Sequence, residues 1–452
     1  MTPGRLTFRE TFATWWPLAA SWLLMGLELP AVSAVMARLP NPTVSLAAYG
    51  GVVFPIALII EAPIIMLLAA STALSRDWRS YVLLRRFMFT AAALLTGLHA
   101  LVAFTPLSGL VIGGLIGAPE EIREPARRGL QIMLPWTASI AYRRFQQGVL
   151  IRFGHSRAVG IGTAIRLGTN ALVLAIGYSV GAIPGIVVGT SAVAAGVIAE
   201  AVYAGIRVHP VLRDRLRAAA PAGPPITTAE FARFYAPLAL TSILTLLAMP
   251  LTSAAMSRMP RAIESLAVWP VLNGLVFTFR SLGFAMNEVV IALLDRPQAV
   301  PVLRKFSALL ATTLSLLLLV AAATPISSLW FAVVSALPPP LAAMGHIGLW
   351  LAILVPGLSA YQSWYQGAIV HSRRTRGVTE AVSLYLGVSA AFLAAGVALA
   401  RPTGLYAALV AMTTGLLSQI VWLRIRARAP LRALAAASAV ATASLARPPA
   451  HP

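Results

Sequence analysis

Two stretches of this chain decide its fold: Thr7 to Ala47, TFRETFATWWPLAASWLLMGLELPAVSAVMARLPNPTVSLA, and Thr227 to Ala267, TTAEFARFYAPLALTSILTLLAMPLTSAAMSRMPRAIESLA. Laid over one another without a gap they match at Thr7/Thr227, Glu10/Glu230, Pro17/Pro237, Pro30/Pro250, Met36/Met256, Arg38/Arg258 and Pro40/Pro260, among other positions. Two apolar helices share leucines by composition alone. Three prolines, a Thr-x-x-Glu capping box and an arginine at the same helix-to-loop junction need a common origin. A second echo pairs Tyr142 to Val159, YRRFQQGVLIRFGHSRAV, with Tyr361 to Val378, YQSWYQGAIVHSRRTRGV, matching Gln147/Gln366 and Gly148/Gly367. The chain is therefore an internal repeat.

Both copies lie in apolar sequence. At 58% hydrophobic and 11% charged residues, the chain is far from an ordinary soluble domain, which is about half apolar and a quarter charged. Runs of about 20 apolar residues recur along it, each long enough to cross roughly 30 Å of hydrocarbon as a helix. The alternating segments of about ten residues that mark a membrane barrel are missing. The first run carries Glu28 and exceeds a signal-peptide core in length, so it reads as a retained span. Twelve spans result, at roughly 11–37, 45–72, 87–106, 129–150, 157–180 and 183–206, then 231–257, 263–294, 305–325, 343–370, 377–399 and 403–425. The expected fold class is all-α: a polytopic membrane protein of two parallel six-helix bundles related by pseudo-twofold symmetry. Its parts are residues 1–206 and 227–426, a linker over 207–226 and a tail over 427–452, which includes a short surface helix.

Arginine placement orients the spans. With both termini inside, the outer loops hold Arg38, Arg123, Arg127, Arg128, Arg258, Arg261 and Arg401, and most remaining basic residues fall at inner ends. That is the positive-inside asymmetry, and it predicts a bacterial inner membrane with cytoplasmic termini. The net charge of +21 is then a topology signal with some attraction for anionic headgroups, not a nucleic-acid footprint, since no soluble domain carries one. The stretch from Glu120 to Arg128 reads as a solvated surface helix. A P-loop is absent, because the single lysine, Lys305, follows Arg304. Histidines lack metal-ligand spacing and cysteine is absent, so no cofactor or metal is expected. No sequence feature requires a second copy of the chain.

Candidate functional residues are ionisable groups where hydrocarbon should be, because such groups are costly and usually face a cavity or a partner. Glu61 and Arg280 fall near the middle of spans 2 and 8, where they could face one another; Arg166 and Asn170 lie one turn apart on span 5, and Asn287 and Glu288 on span 8. Glu28 adds an acid on span 1. Tyr142 and Gln147, with Tyr361 and Gln366, place amide and phenol groups on spans 4 and 10. Pro30 and Pro250 each remove a backbone bond inside a span, and their matched positions predict paired bends that serve as gates. Each polar group has a plainer alternative, an internal salt bridge or helix-packing hydrogen bond.

Twelve spans in two parallel halves with matched prolines resemble the multidrug/oligosaccharidyl-lipid/polysaccharide (MOP) exporter superfamily, whose best-known branch is the MATE transporters. WWPLAAS at Trp15 to Ser21, LAAYG at Leu46 to Gly50 and SRD at Ser75 to Asp77 are most similar to the progressive-ankylosis (ANKH) branch. The resemblance implies alternating-access export of an organic solute: drugs and cations for MATE proteins, lipid-linked sugars for flippases, citrate, nucleotide or pyrophosphate anions for the ankylosis branch. MATE proteins often carry a working acid on span 1 or 7. Here Glu28 matches it on span 1, and Ala248 stands at the span 7 position. Arg166 and Arg280 favour a small organic anion as substrate, with proton or sodium coupling through Glu28 or Glu61 or simple efflux both open. Drug or cation efflux and flipping of a lipid-linked precursor remain the alternatives.

Overall fold

In a computed structural model, residues 5–218, 226–372 and 376–445 are described. The helices follow the apolar runs. The first span is α1 (Phe8–Gly26) and α2 (Glu28–Met36); the second is α3 (Pro42–Ala48), a π-helical turn Tyr49–Val53, α4 (Phe54–Ile65) and α5 (Leu67–Leu74). Then come α6 (Trp78–Phe104), a π-helical turn Gly109–Leu115, α7 (Glu120–Ile132), α8 (Leu134–Arg152), α9 (Ser156–Val180) and α10 (Gly185–Val211), which ends in a π-helical turn Leu212–Leu216. The second half has α11 (Thr228–Met256), α12 (Ala262–Leu293), α13 (Ala299–Ala323), α14 (Ile326–Ser328), a π-helical turn Leu329–Val334, α15 (Pro339–Leu351), α16 (Val355–His371), α17 (Arg376–Leu399) and α18 (Gly404–Leu445). No strand occurs among the described residues.

Among the described residues ten helices are long and apolar enough to cross a membrane, and α15 with α16, bent by 42°, makes an eleventh when the pair is taken as one span. The pair expected as the remaining span is α7 with α8. It is the repeat counterpart of α15–α16 and falls short of the same apolarity because α8 carries Arg143, Arg144 and Arg152. Both pairs break just before a proline, Pro135 and Pro356, at the start of the following helix. There the ring disfavours helical backbone at the preceding residue and costs no helix bond of its own.

The repeat recurs in fine detail. Both capping boxes form, with the Thr7 and Thr227 amides each donating to a glutamate oxygen at 2.9 Å and the Glu10 and Glu230 amides each donating to a threonine hydroxyl at 3.2 Å. The Gly185 amide donates to the Pro40 carbonyl and the Gly404 amide to the Pro260 carbonyl, both at 3.4 Å. Asn41 and Arg261 share a left-handed backbone, φ 57° and 58°. Gly117 and Gly181 also have positive φ, and their counterparts Ala336 and Ala400 keep it at 47° and 50° although alanine disfavours it.

The two spans differ at their paired prolines. The first span is interrupted at Leu27, and Pro30 sits in the first turn of α2, where a proline is cheap. Pro250 lies inside the uninterrupted α11. The chain past Arg426 also differs: α18 continues to Leu445 through Pro430, since the alanine- and leucine-rich sequence there favours helix. The stretch Glu120 to Arg128 is the amphipathic α7, with Ile122 and Ala126 buried. Residues 219–225 of the expected linker lie outside the described residues.

Packing groups the chain into two compact units. One comprises Ala31–Pro270 and Gly396–Leu405; the other comprises the described residues of Met1–Pro30, Val271–Ala395 and Tyr406–Pro452. The opening helix of each sequence half packs with helices of the other half. In the second unit Trp15 and Ala19 of α1 join a core with Met286, Phe306, Leu310 and Trp364. In the first, Phe231 and Tyr235 of α11 meet Phe87 of α6 edge-on, and the Tyr235 hydroxyl donates to the Pro63 carbonyl at 2.5 Å. That contact satisfies a carbonyl beside the α4–α5 interruption.

Gly148 and Gly367 show why the second echo was kept. A Cβ on Gly148 would lie 2.5 Å from the Leu68 carbonyl oxygen of α5, and one on Gly367 would lie 2.8 Å from Val290 Cβ and 3.0 Å from the Asn287 carbonyl of α12. Small residues here let backbones touch, which is the main source of helix association where apolar burial gives no advantage over lipid. Gly148→Val and Gly367→Val should each cost about 1–3 kcal/mol through overpacking against backbone that cannot yield. Thermal unfolding of the purified variants in detergent checks this; an unchanged midpoint for either contradicts the close contact.

Candidate functional site

The charge concentrated inside the first unit is held by four helices. Glu61 lies on α4, Arg143, Arg144, Gln146 and Gln147 on α8, Arg166 and Asn170 on α9, and Glu200 on α10. Arg143 and Gln147 are four residues apart and so share one face of α8. Both reach Glu200: an Arg143 Nη1 to Oε2 ion pair of 2.6 Å and a Gln147 Nε2 donation to Oε1 of 2.9 Å. Arg166 Nε approaches the same Oε2 at 3.4 Å. The Glu200 side chain is 0% exposed, against 8% for Arg143 and 12% for Arg166.

Glycines make the closeness possible. Gly196 of α10 leaves room for the Arg166 carbonyl, which a Cβ would meet at 2.9 Å, and Gly162 of α9 sits against the Glu200 stem. Asn170, buried, lies one turn beyond Arg166 on this seam and packs beside Gly196. Glu61 is 3% exposed, its Oε2 accepts no hydrogen bond, and its electrostatic neighbours are Arg144 and Arg143. Three guanidinium groups thus stand against two carboxylates. Arg144 Nε, Arg143 Nε and Gln146 Oε1 are buried without a hydrogen-bond partner. Such a set can hold an anion or exchange partners, because unsatisfied buried donors raise the benefit of any new acceptor.

The second unit holds a different arrangement. Arg280 on α12 is half-buried; its Nε donates to Ser359 Oγ of α16 at 2.9 Å, and its guanidinium stands 5.3 Å from the Phe284 ring centroid and interacts with Tyr385 of α17. Among the described residues it makes no ion pair. Farther along α12, Glu288 accepts from Trp22 Nε1 at 3.2 Å, and Asn287 Oδ1 is buried without a partner.

Of the residues singled out from the sequence, Gln147 and Arg166 meet at Glu200, with Asn170 and Glu61 beside them. Arg280, Asn287 and Glu288 form the α12 group. Tyr142 is not in the charge network and lies on another face of α8. Tyr361 packs on the apolar core around Trp364, and Gln366 is half-buried nearby. Glu28 lies in the first turn of α2, where a carboxylate suits the helix N-terminus. Sequence reading missed Glu200, Arg143 and Arg144. The two arginines counted toward the inner-end tally, and Glu200, the single acid of span 6, had the same signal that drew notice to Glu61.

No protein-family model matches the chain, and no curated protein matches it. Among solved structures it is similar to an inward-facing multidrug resistance MATE family transporter of the MOP superfamily, with a TM-score of 0.68, 14% identity and coverage of 93% of this chain and 99% of that one. An outward-facing MATE transporter gives 0.56, 17%, 95% and 98%. The lipid II flippase MurJ in an inward closed conformation gives 0.70, 12%, 94% and 91%. The fold is that of MATE transporters and MurJ. At these identities the likeness carries architecture and no site residue.

Breaking the Glu200 network should be costly, since removing one partner leaves the others as uncompensated buried charge. Glu200→Ala is expected to lose about 3–5 kcal/mol, read as a lowered unfolding midpoint of the purified protein. Wild-type stability in that variant would mean that the arginines find other partners.

Proposed function

We propose that the chain is an exporter of a small organic anion of carboxylate or phosphate type, working by alternating access in a bacterial inner membrane and related to the ankylosis branch of the MOP superfamily. The observation that carries this reading is Arg280: a guanidinium in a membrane-crossing helix whose contacts are a hydroxyl, a ring and a phenol. Guanidinium stays charged even when buried. Its planar fork suits carboxylate or phosphate through two parallel hydrogen bonds. Arg166, by contrast, has a carboxylate within reach in Glu200 and serves the network. The excess of one guanidinium over carboxylates around Glu61 adds to an anion-attracting interior. Similarity to MATE transporters seen in inward- and outward-facing forms supports the alternating-access part. Likeness to a lipid II flippase keeps the lipid-linked precursor as the second reading.

Reconstituted liposomes distinguish these. Efflux of citrate or a nucleotide should fall about tenfold or more in Arg280→Ala, the equivalent of one charge-assisted hydrogen bond, and less in Arg280→Lys, which keeps charge and loses the fork. Undiminished anion efflux in the alanine variant, or transport of cationic dyes or lipid-linked sugars in place of anions, overturns the reading. Coupling is tested on the same vesicles. If Glu61 carries a proton, Glu61→Gln should abolish the dependence of efflux on an imposed pH gradient, whereas a structural Glu61 would leave it in place.

A further inference from the structure

Apart from the charge network, a crevice of about 800 Å3 indents the first unit between α6, α8 and α10. Phe89, Ala138, Tyr142, Val202 and Ile206 line it, and His209 marks one end. Small residues on α10 form its floor. A Cβ on Gly205 would come within 2.7 Å of the Tyr142 hydroxyl, so the missing side chain lets Tyr142 of α8 lie against α10 at this floor. Along α10 the lining runs from Ile198 to Pro210, a rise of roughly 18 Å. That is a little more than half of the roughly 30 Å hydrocarbon layer, the depth of one leaflet.

The rim is apolar and outward-facing: Phe89 is 55% exposed, Val202 57% and Ile206 65%. In a membrane-spanning chain such a rim meets acyl chains, and a polar solute gains nothing there. One end differs in chemistry. Arg86 stands one turn before Phe89 on α6, Arg207 follows Ile206, and Arg213 lies one turn past His209; all three are exposed. The two walls converge there, because Arg217, just past the end of α10, lies 4.6 Å over the Trp78 ring at the start of α6. Asp214 pairs with Arg213. Arg86 and Arg207 have no ion pair among the described residues.

We propose that this crevice binds one anionic phospholipid, an acyl chain lying along α10 between Phe89 and Ile206 and the phosphate held by Arg86 and Arg207. An apolar groove one leaflet deep, with the exposed guanidinium groups of Arg86 and Arg207 on the helices that flank its His209 end, suits that ligand in both parts. A chain without a charged head would not need the arginines, and a soluble phosphate would not need the groove.

Native mass spectrometry of the purified full chain, in detergent with equal amounts of phosphatidylglycerol and phosphatidylcholine, tests it. One phosphatidylglycerol should be retained in preference by roughly tenfold, the effect of a charge-assisted contact. Val202→Trp, which fills the groove, should lose the bound lipid. Arg86→Gln with Arg207→Gln, at exposed positions that leave the groove intact, should remove the preference and keep neutral-lipid retention. Equal retention of the two lipids by the unaltered chain overturns the proposal. A preference that survives both sets of variants does so too, and so does displacement of phosphatidylglycerol by excess inorganic phosphate, which would mark a site for soluble anions.

Discussion

Hydrocarbon supplies no hydrogen bonds, and nearly every feature of this chain answers to that constraint. A backbone group or charge left unpaired within it costs several kcal/mol. Helices meet the backbone part of the demand. The ionic part falls on Glu200, a fully enclosed carboxylate that accepts from α8 twice and is approached by α9. By satisfying one acid with residues from two neighbouring helices, the first unit fixes how α8, α9 and α10 lie against one another. Glycines at Gly162 and Gly196 let α9 and α10 come close enough for those contacts, and Gly148 lets α8 lie against α5.

Interruptions follow the same logic. Several breaks are placed where a side chain takes up a backbone carbonyl. Thr105 and Thr324 illustrate it: each hydroxyl donates one turn back, to Leu101 and Val320, and each carbonyl then accepts from Ser108 or Ser327 Oγ. Met133 and the stretch before Val355 break spans 4 and 10, each ahead of a proline at the start of the next helix. Irregular backbone at membrane depth is tolerable only when buried in protein or lining a cavity, so these repeated breaks are the natural places for movement.

The two units have diverged most in charge. One encloses three arginines and two glutamates; the other places a single arginine among a serine, a phenylalanine and a tyrosine. A repeat that preserves backbone conformation through the change of Gly117 and Gly181 to Ala336 and Ala400 has kept its architecture and released its polar interior to vary.

Span positions, the repeat, the capping boxes and the location of Glu61, Arg166 and Arg280 inside helices were all legible in the sequence, because apolar run length and the spacing of Thr-x-x-Glu and proline are local properties. Which charges neutralise one another was not. Arg143 and Arg144 looked like topology signals because their position near a helix end says nothing about which way they face. Only packing turned Arg143 toward Glu200, 57 residues away, and left Arg280 without an acid among the described residues. The interruption at Leu27, one turn before Pro30, has no counterpart before Pro250 in α11, although the two spans share the proline. Pairing partners and helix contacts are long-range, and a single sequence lists the groups that need satisfying without saying which of them will meet.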